Sequence, residues 1–247
     1  MKPAKSVGYF ASTRAPRYSI LFALPLLVAY EALAWGMGQG EAAAVRNGAD
    51  VLLKSMFGLV GGEHGLTIFT AVVLGTGAIL VVRDIRRHGL PRARVFVGMT
   101  VESVAYALLL GLVAGALTQF ILTGHLWMAQ GGAAPALSVP VQLMVSLGAG
   151  IYEELLFRVL LVAGLDVLAI RVFGWKPLGA GIFAAGLGAL IFSAFHYVGP
   201  YGDPWQLGSF TFRAVAGLLF SGLDLLRGFG ITAWSHALYD VFLTLGR

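Results

Sequence analysis

Ionisable residues set one helical turn apart stand out in a chain otherwise short of charge. Ile151-Tyr-Glu-Glu-Leu-Leu-Phe-Arg158 puts two carboxylates and a guanidinium inside a long apolar run. Glu154 and Arg158 are i and i+4, so on a helix they share a face, with the acid in the favourable N-terminal position. Glu153 diverges from its neighbour by about 100° and lacks that partner. A charge at membrane depth costs at least about 2.5–3.5 kcal/mol unless paired or hydrated. Glu154–Arg158 therefore reads as a buried ion pair, whereas Glu153 requires a water, a histidine or a metal. Phe192-Ser-Ala-Phe-His196 and His236-Ala-Leu-Tyr-Asp240 supply the histidines, and His236 and Asp240 again share a face. One intramembrane histidine is commonly a helix–helix hydrogen bond. Acids and histidines from three helices point instead to one shared polar site, because intramembrane ionisable groups are functional by default.

The elements that position these residues follow from composition. The 247 residues are 58% hydrophobic and only 12% charged, about half the charge of a soluble domain. A mean hydropathy of +0.82 makes lipid the solvent for most of the surface. The fold class is all-α, a polytopic transmembrane bundle. Runs of about 20 apolar residues predict about seven spans: Tyr18–Trp35, Leu66–Val82, Val95–Leu122, Val141–Ile170, Leu178–Val198, Leu207–Leu226 and Gly230–Leu245. Glu41–Gly61, interrupted by Arg46, Asp50 and Lys54, predicts an amphipathic helix at the interface. The first span is expected to be retained, since Pro25, Tyr30 and Glu31 fit a signal core poorly. With no cysteine there is no disulfide and no thiolate nucleophile.

The net charge of +5 does not point to nucleic acid, because the basic residues sit in short runs between spans. Lys2, Lys5, Arg14 and Arg17 precede the first span, Arg83–Arg94 join the second and third, Arg171 and Lys176 the fourth and fifth, and Arg227 the last two. All fall on one side of a seven-span chain, which predicts a multi-pass protein of the cell membrane with a cytoplasmic N-terminus and Arg247 outside. Trp35, Trp127, Trp175 and Trp205 lie at span ends like an aromatic belt. Small residues at Gly111 and Gly115, and at Gly181, Ala185, Ala189 and Ser193, predict close helix packing. Glu31, Glu102, Asp166, Asp224 and Arg213 read as interfacial or structural. At 1.5 Å per residue, Glu153 lies about 18 Å from the outer surface, His236 about 15 Å and His196 about 5 Å. Tilt must absorb that mismatch if the site is to assemble, and the site is expected to open outward.

In order and helix placement, Glu153-Glu154-x-x-x-Arg158, Phe192-x-x-x-His196 and His236-x-x-x-Asp240 resemble the three motifs of the type II CAAX-endopeptidase and bacteriocin-processing family, the Abi-related glutamic intramembrane proteases. The resemblance covers residues 140–247 of a single membrane domain, while residues 1–139 show only hydrophobic spans. It implies that Glu153 and His196 activate a water against a peptide carbonyl. His236 and Asp240 would stabilise the oxyanion, and Glu154, Arg158 and Phe192 would support the geometry. The chemistry is sound: a buried glutamate can serve as base, and oriented donors in a dry site stabilise developing charge. The last motif position is most often asparagine in that family. Asp240 must therefore be protonated, orient His236 through a ring nitrogen, or help bind a metal; orientation of His236 is the expected role.

The function expected is an intramembrane endopeptidase acting on a membrane-associated or lipid-anchored protein or peptide. The lipid bilayer is its medium, with no nucleic-acid partner and no cofactor. A zinc protease is the nearest alternative, because Glu, His and Asp can ligate zinc, although no His-Glu-x-x-His is present. A proton-coupled transporter or a non-catalytic scaffold or immunity protein could use the same cluster.

Overall fold

The computed structural model describes residues 8–37, 45–122, 137–199 and 202–246, which are predominantly helical, with no strand among them. The helices are α1 (Tyr9–Thr13), α2 (Pro16–Gly36), α3 (Gly48–Gly61), α4 (Gly65–His88), α5 (Ala93–Ile121), α6 (Val139–Gly148), α7 (Ala163–Arg171), α8 (Pro177–Phe195), α9 (Leu207–Arg227) and α10 (Phe229–Leu245). Between α6 and α7 the helix continues through two π-wound stretches, Ala149–Glu153 and Leu155–Val162. Such winding inserts residues into the helical ladder and recurs at functional sites. Here the first stretch carries Glu153 and the second Arg158, with Glu154 between them.

The architecture is the expected all-helical one. Among the described residues, five helical stretches are long and apolar enough to cross a bilayer: Pro16–Gly36, Gly48–His88, Ala93–Ile121, Pro177–Phe195 and Leu207–Arg227. The expected spans Val141–Ile170 and Gly230–Leu245 coincide with helices, but not with members of this set. The first is interrupted by the π turns and carries four charges, Glu153, Glu154, Arg158 and Asp166; the second is a helix of 17 residues. Large apolar side chains face outward along the bundle, among them Val28, Leu112 and Ile182, each at least 65% exposed, a surface suited to lipid and not to water. Trp35, Trp175 and Trp205 are exposed as an aromatic belt requires. Trp127, the connection from His125, residues 41–44, Lys2, Lys5 and Arg247 lie outside the described residues.

The amphipathic segment differs from expectation in what its polar face meets. The 41-residue stretch Gly48–His88 folds back at Gly62–His64, where Gly62 adopts φ +54°. Phe57 of α3 then packs on Phe69 of α4, ring centroids 5.4 Å apart. The charges of α3 turn into the bundle. Asp50, fully buried, is held by Arg46 at 2.9 Å and Lys54 at 2.6 Å, one turn to either side. Both cations also reach Glu31, at 3.2 and 3.1 Å. Mutual neutralisation makes this inward placement affordable where water would otherwise be needed.

Basic residues gather at one end of the bundle. Arg17 pairs with Asp84 at 3.1 Å, Arg227 with Glu102 at 2.6 Å, and the Thr13 hydroxyl donates to the Arg227 carbonyl at 3.2 Å. The starts of α2, α5 and α10 and the ends of α4 and α9 are therefore neighbours.

Helix α10 packs against α2, α5, α6 and α9. Gly230 donates to Ser19 Oγ at 2.8 Å, and Trp234 Nε1 donates to the Phe22 carbonyl at 2.6 Å. Of the small-residue stripes, Gly111 faces the Tyr239 ring and Ala189 lies against Gly217, whereas a Cβ on Gly115 would meet nothing. The tightest approach lies beside the glutamates: a Cβ on Gly150 would sit 2.3 Å from the Ala233 carbonyl oxygen. Backbone cannot yield as a side chain would. Gly150→Ala is therefore expected to destabilise by about 1–3 kcal/mol. Gly164→Ala, with open space around its new methyl, should be neutral or stabilising. Thermal unfolding of both variants in detergent micelles checks the contrast.

Candidate active site

The π-wound helix presents its two adjacent glutamates to different partners. Glu154, fully buried, ion-pairs with Arg158 at 3.1 Å, as the i, i+4 spacing predicts. The same Oε1 lies 2.6 Å from His236 Nδ1. Glu154 thus joins the π helix to α10, a role its spacing to Arg158 does not reveal. Arg158 is enclosed as well. Its guanidinium lies over the Phe192 ring at 4.4 Å and near the Phe220 ring at 5.4 Å. Paired charge with aromatic faces around it is what a membrane interior tolerates.

Glu153 pairs with no arginine among the described residues. Its Oε1 accepts from Asn47 Nδ2 at 2.8 Å, and its Oε2 faces His196 Nε2 at 3.9 Å. That separation exceeds a hydrogen bond, and Oε2 is buried with no hydrogen-bond partner among the described residues. The opposite nitrogen of His196, Nδ1, lies 2.9 Å from the Phe192 carbonyl, an acceptor. Nδ1 must therefore carry the proton, and in the neutral ring Nε2 presents its lone pair to Glu153. A water within reach of both atoms could donate to a carboxylate oxygen and to an imidazole lone pair.

The walls are aromatic. Phe192 stands edge-on to both imidazoles, at 4.9 Å from His196 and 6.1 Å from His236. Phe220 stacks on His236 at 4.5 Å. Asp240 Oδ2 lies 3.7 Å from His236 Nε2, beyond hydrogen-bond distance. His236 thus has its hydrogen bond with Glu154 at Nδ1, while Asp240, the expected orienting group, faces Nε2. The buried carboxylate already occupies Nδ1, and the i, i+4 register brings Asp240 only near Nε2. Beside Asp240 a cavity of about 210 Å³ lies between the start of α6 and the end of α10, lined in part by Gln142, Ser146, Leu243 and Thr244.

All seven predicted residues, Glu153, Glu154, Arg158, Phe192, His196, His236 and Asp240, fall in this one cluster. Helix α8 ends at Phe195, and its cap residue His196 reaches Glu153, so the site assembles despite the different depths counted from the sequence. Chain beyond the cap packs back on it, with Asp203 N donating to the His196 carbonyl at 2.9 Å. Asn47 and Phe220 escaped the sequence reading. Asn47-Gly48 carries a recognisable signal, an N-cap residue before a helix, but nothing local ties it to a glutamate 106 residues away. Among the other membrane-depth charges, Glu31, Glu102 and Arg213 are paired, with Arg46 and Lys54, with Arg227, and with Asp203 respectively. Among the described residues no group of three or more His, Cys, Asp and Glu is arranged to hold a metal ion.

Neither the comparison with curated proteins nor that with solved structures gives a match. A comparison with protein families does, and it spans the whole two-glutamate helix and both histidine helices through Asp240. Over residues 135–242, this chain matches the Rce1-like type II CAAX prenyl endopeptidase family.

Proposed function

We propose that the protein is a glutamic intramembrane endopeptidase, hydrolysing a peptide bond of a membrane-associated or lipid-anchored protein or peptide. The observation that carries this reading is the convergence of Glu153 Oε2, buried and unpartnered among the described residues, on the lone pair of His196 at 3.9 Å. Glu153 takes a proton from the attacking water while His196 orients it, and the oxygen adds to the peptide carbonyl. The developing oxyanion needs a donor in a dry setting. With Nδ1 donating to Glu154, His236 donates from Nε2 when its ring carries both protons, a cation flanked by Glu154 and Asp240. Collapse of the adduct passes the proton from Glu153 to the leaving amine. The cavity beside Asp240 offers the substrate backbone a route to this position. The basic end of the bundle supports a cytoplasmic N-terminus, with the site nearer the opposite face of the cell membrane.

Zinc catalysis is the alternative that a variant at Asp240 separates from the glutamic mechanism. Under the glutamic mechanism, Asp240→Asn restores the residue most often found in this family and leaves the Glu154–His236 contact untouched. Its activity should stay within about tenfold of wild type, less than the ~10²–10³ lost with an oxyanion donor. Chelators should have no effect. The readout is mass spectrometry of new chain termini in native membrane fractions carrying each variant. Loss of those termini in the Asn variant, with chelator sensitivity reversed by zinc, would overturn the glutamic mechanism in favour of a metalloprotease.

A further inference from the structure

Asn47 lies outside the family match, yet its contact with Glu153 is held from three directions. Its own amide is fixed: Oδ1 caps α3 by accepting from Ala49 N at 2.9 Å, which turns Nδ2 toward the glutamate. Its backbone N–H donates to the Tyr30 hydroxyl at 3.3 Å, and that hydroxyl donates to Asp50 at 2.8 Å. Asp50 is in turn locked by Arg46 and Lys54. Room for this approach comes from glycine. A Cβ on Gly148 would fall 2.7 Å from Asn47 Cβ and 2.6 Å from the Tyr30 ring. A Cβ on Gly48 would meet the Phe195 ring at 3.1 Å. The first turn of α3 is thus wedged between the π turn carrying Glu153 and the helix end carrying His196.

We propose that Asn47 is a positioning residue for Glu153: it ties down Oε1, so that Oε2 is the oxygen turned to His196. The positive end of a 14-residue helix faces the same carboxylate. This inference rests on the reading of Glu153 as the base. It assigns to the N-terminal half of the chain a part in setting the geometry of the reaction. A role confined to capping α3 would use Oδ1 alone, whereas positioning uses Nδ2. Aspartate and serine cap as well as asparagine. Ionised aspartate, however, offers Glu153 an acceptor instead of a donor, and serine is too short to reach it.

Asn47→Asp and Asn47→Ser are compared with wild type and Glu153→Gln in native membrane fractions. The measured quantities are the rate and pH profile of formation of Glu153-dependent chain termini, with thermal unfolding in parallel. Both Asn47 variants should lose activity about 10- to 100-fold per folded molecule, the range spanned by a hydrogen bond to a charged group. Thermal stability should fall further in the Asp variant, which adds a second carboxylate at a buried position. In the Asp variant the acidic limb of the profile should move to higher pH, because a second carboxylate beside Glu153 opposes its ionisation. The other groups facing Glu153 are the same in all Asn47 forms: His196 from α8, His236 and Asp240 from α10, Arg158 and Glu154 from its own helix, and Tyr30 and Asp50 behind Asn47. An unchanged rate per folded molecule and an unchanged profile in both variants would overturn the positioning role while leaving Glu153 as base. If Glu153→Gln makes the same termini as wild type, the protease reading falls and this inference falls with it.

Discussion

Glu154→Gln is expected to lower both stability and activity, and a second substitution should recover only the first. The carboxylate lies 3.1 Å from Arg158 and 2.6 Å from His236, and all three side chains are buried. Replacing it by an amide leaves a guanidinium uncompensated in the membrane interior, a loss of about 3–5 kcal/mol for a broken buried pair. It also takes the counter-charge from His236, whose protonated ring is the proposed donor at the oxyanion. Adding Arg158→Leu removes the stranded cation, and an apolar replacement of a buried pair is often neutral. The double variant should therefore unfold near the wild-type temperature in micelles and still fail to make new termini. Stability that falls by the sum of the two single losses would show that Arg158 is not paired through Glu154. Activity returning with stability would show that the contact with His236 carries no chemistry.

The helical class and the Glu154–Arg158 pair were legible because both rest on local pattern. Apolar runs of membrane length mark helices wherever they occur, and i, i+4 spacing brought Glu154 to Arg158 even on a π-wound stretch. Other features depend on packing between distant segments. Counting residues along each span does not show the approach of His196 to Glu153, because that approach depends on how α8 packs against the π-wound helix. The partner of His236 was assigned to Asp240 because one turn of helix is visible in a sequence. The 82-residue separation of Glu154 from His236 is not. Arg46, Asp50 and Lys54 read as a water-facing stripe, and only the fold of α3 against α2 and the π turn shows that they neutralise one another and Glu31. The same fold brings Asn47 to the site.

The proposed mechanism makes Glu153 the group that activates water. Glu153→Gln is the substitution that separates this role from a structural one. Glutamine still accepts from Asn47 Nδ2, and no arginine loses its partner, so the variant should unfold at the wild-type temperature. An amide cannot take a proton from water, and hydrolysis should fall by about 10²- to 10⁴-fold. The measurement is terminal-peptide mass spectrometry of native membrane fractions carrying wild-type or Glu153→Gln protein at equal, folded abundance. New chain termini that form with the wild type and are missing with the variant are the predicted result. A well-folded Glu153→Gln protein that generates the same termini at near-wild-type rate would contradict the account.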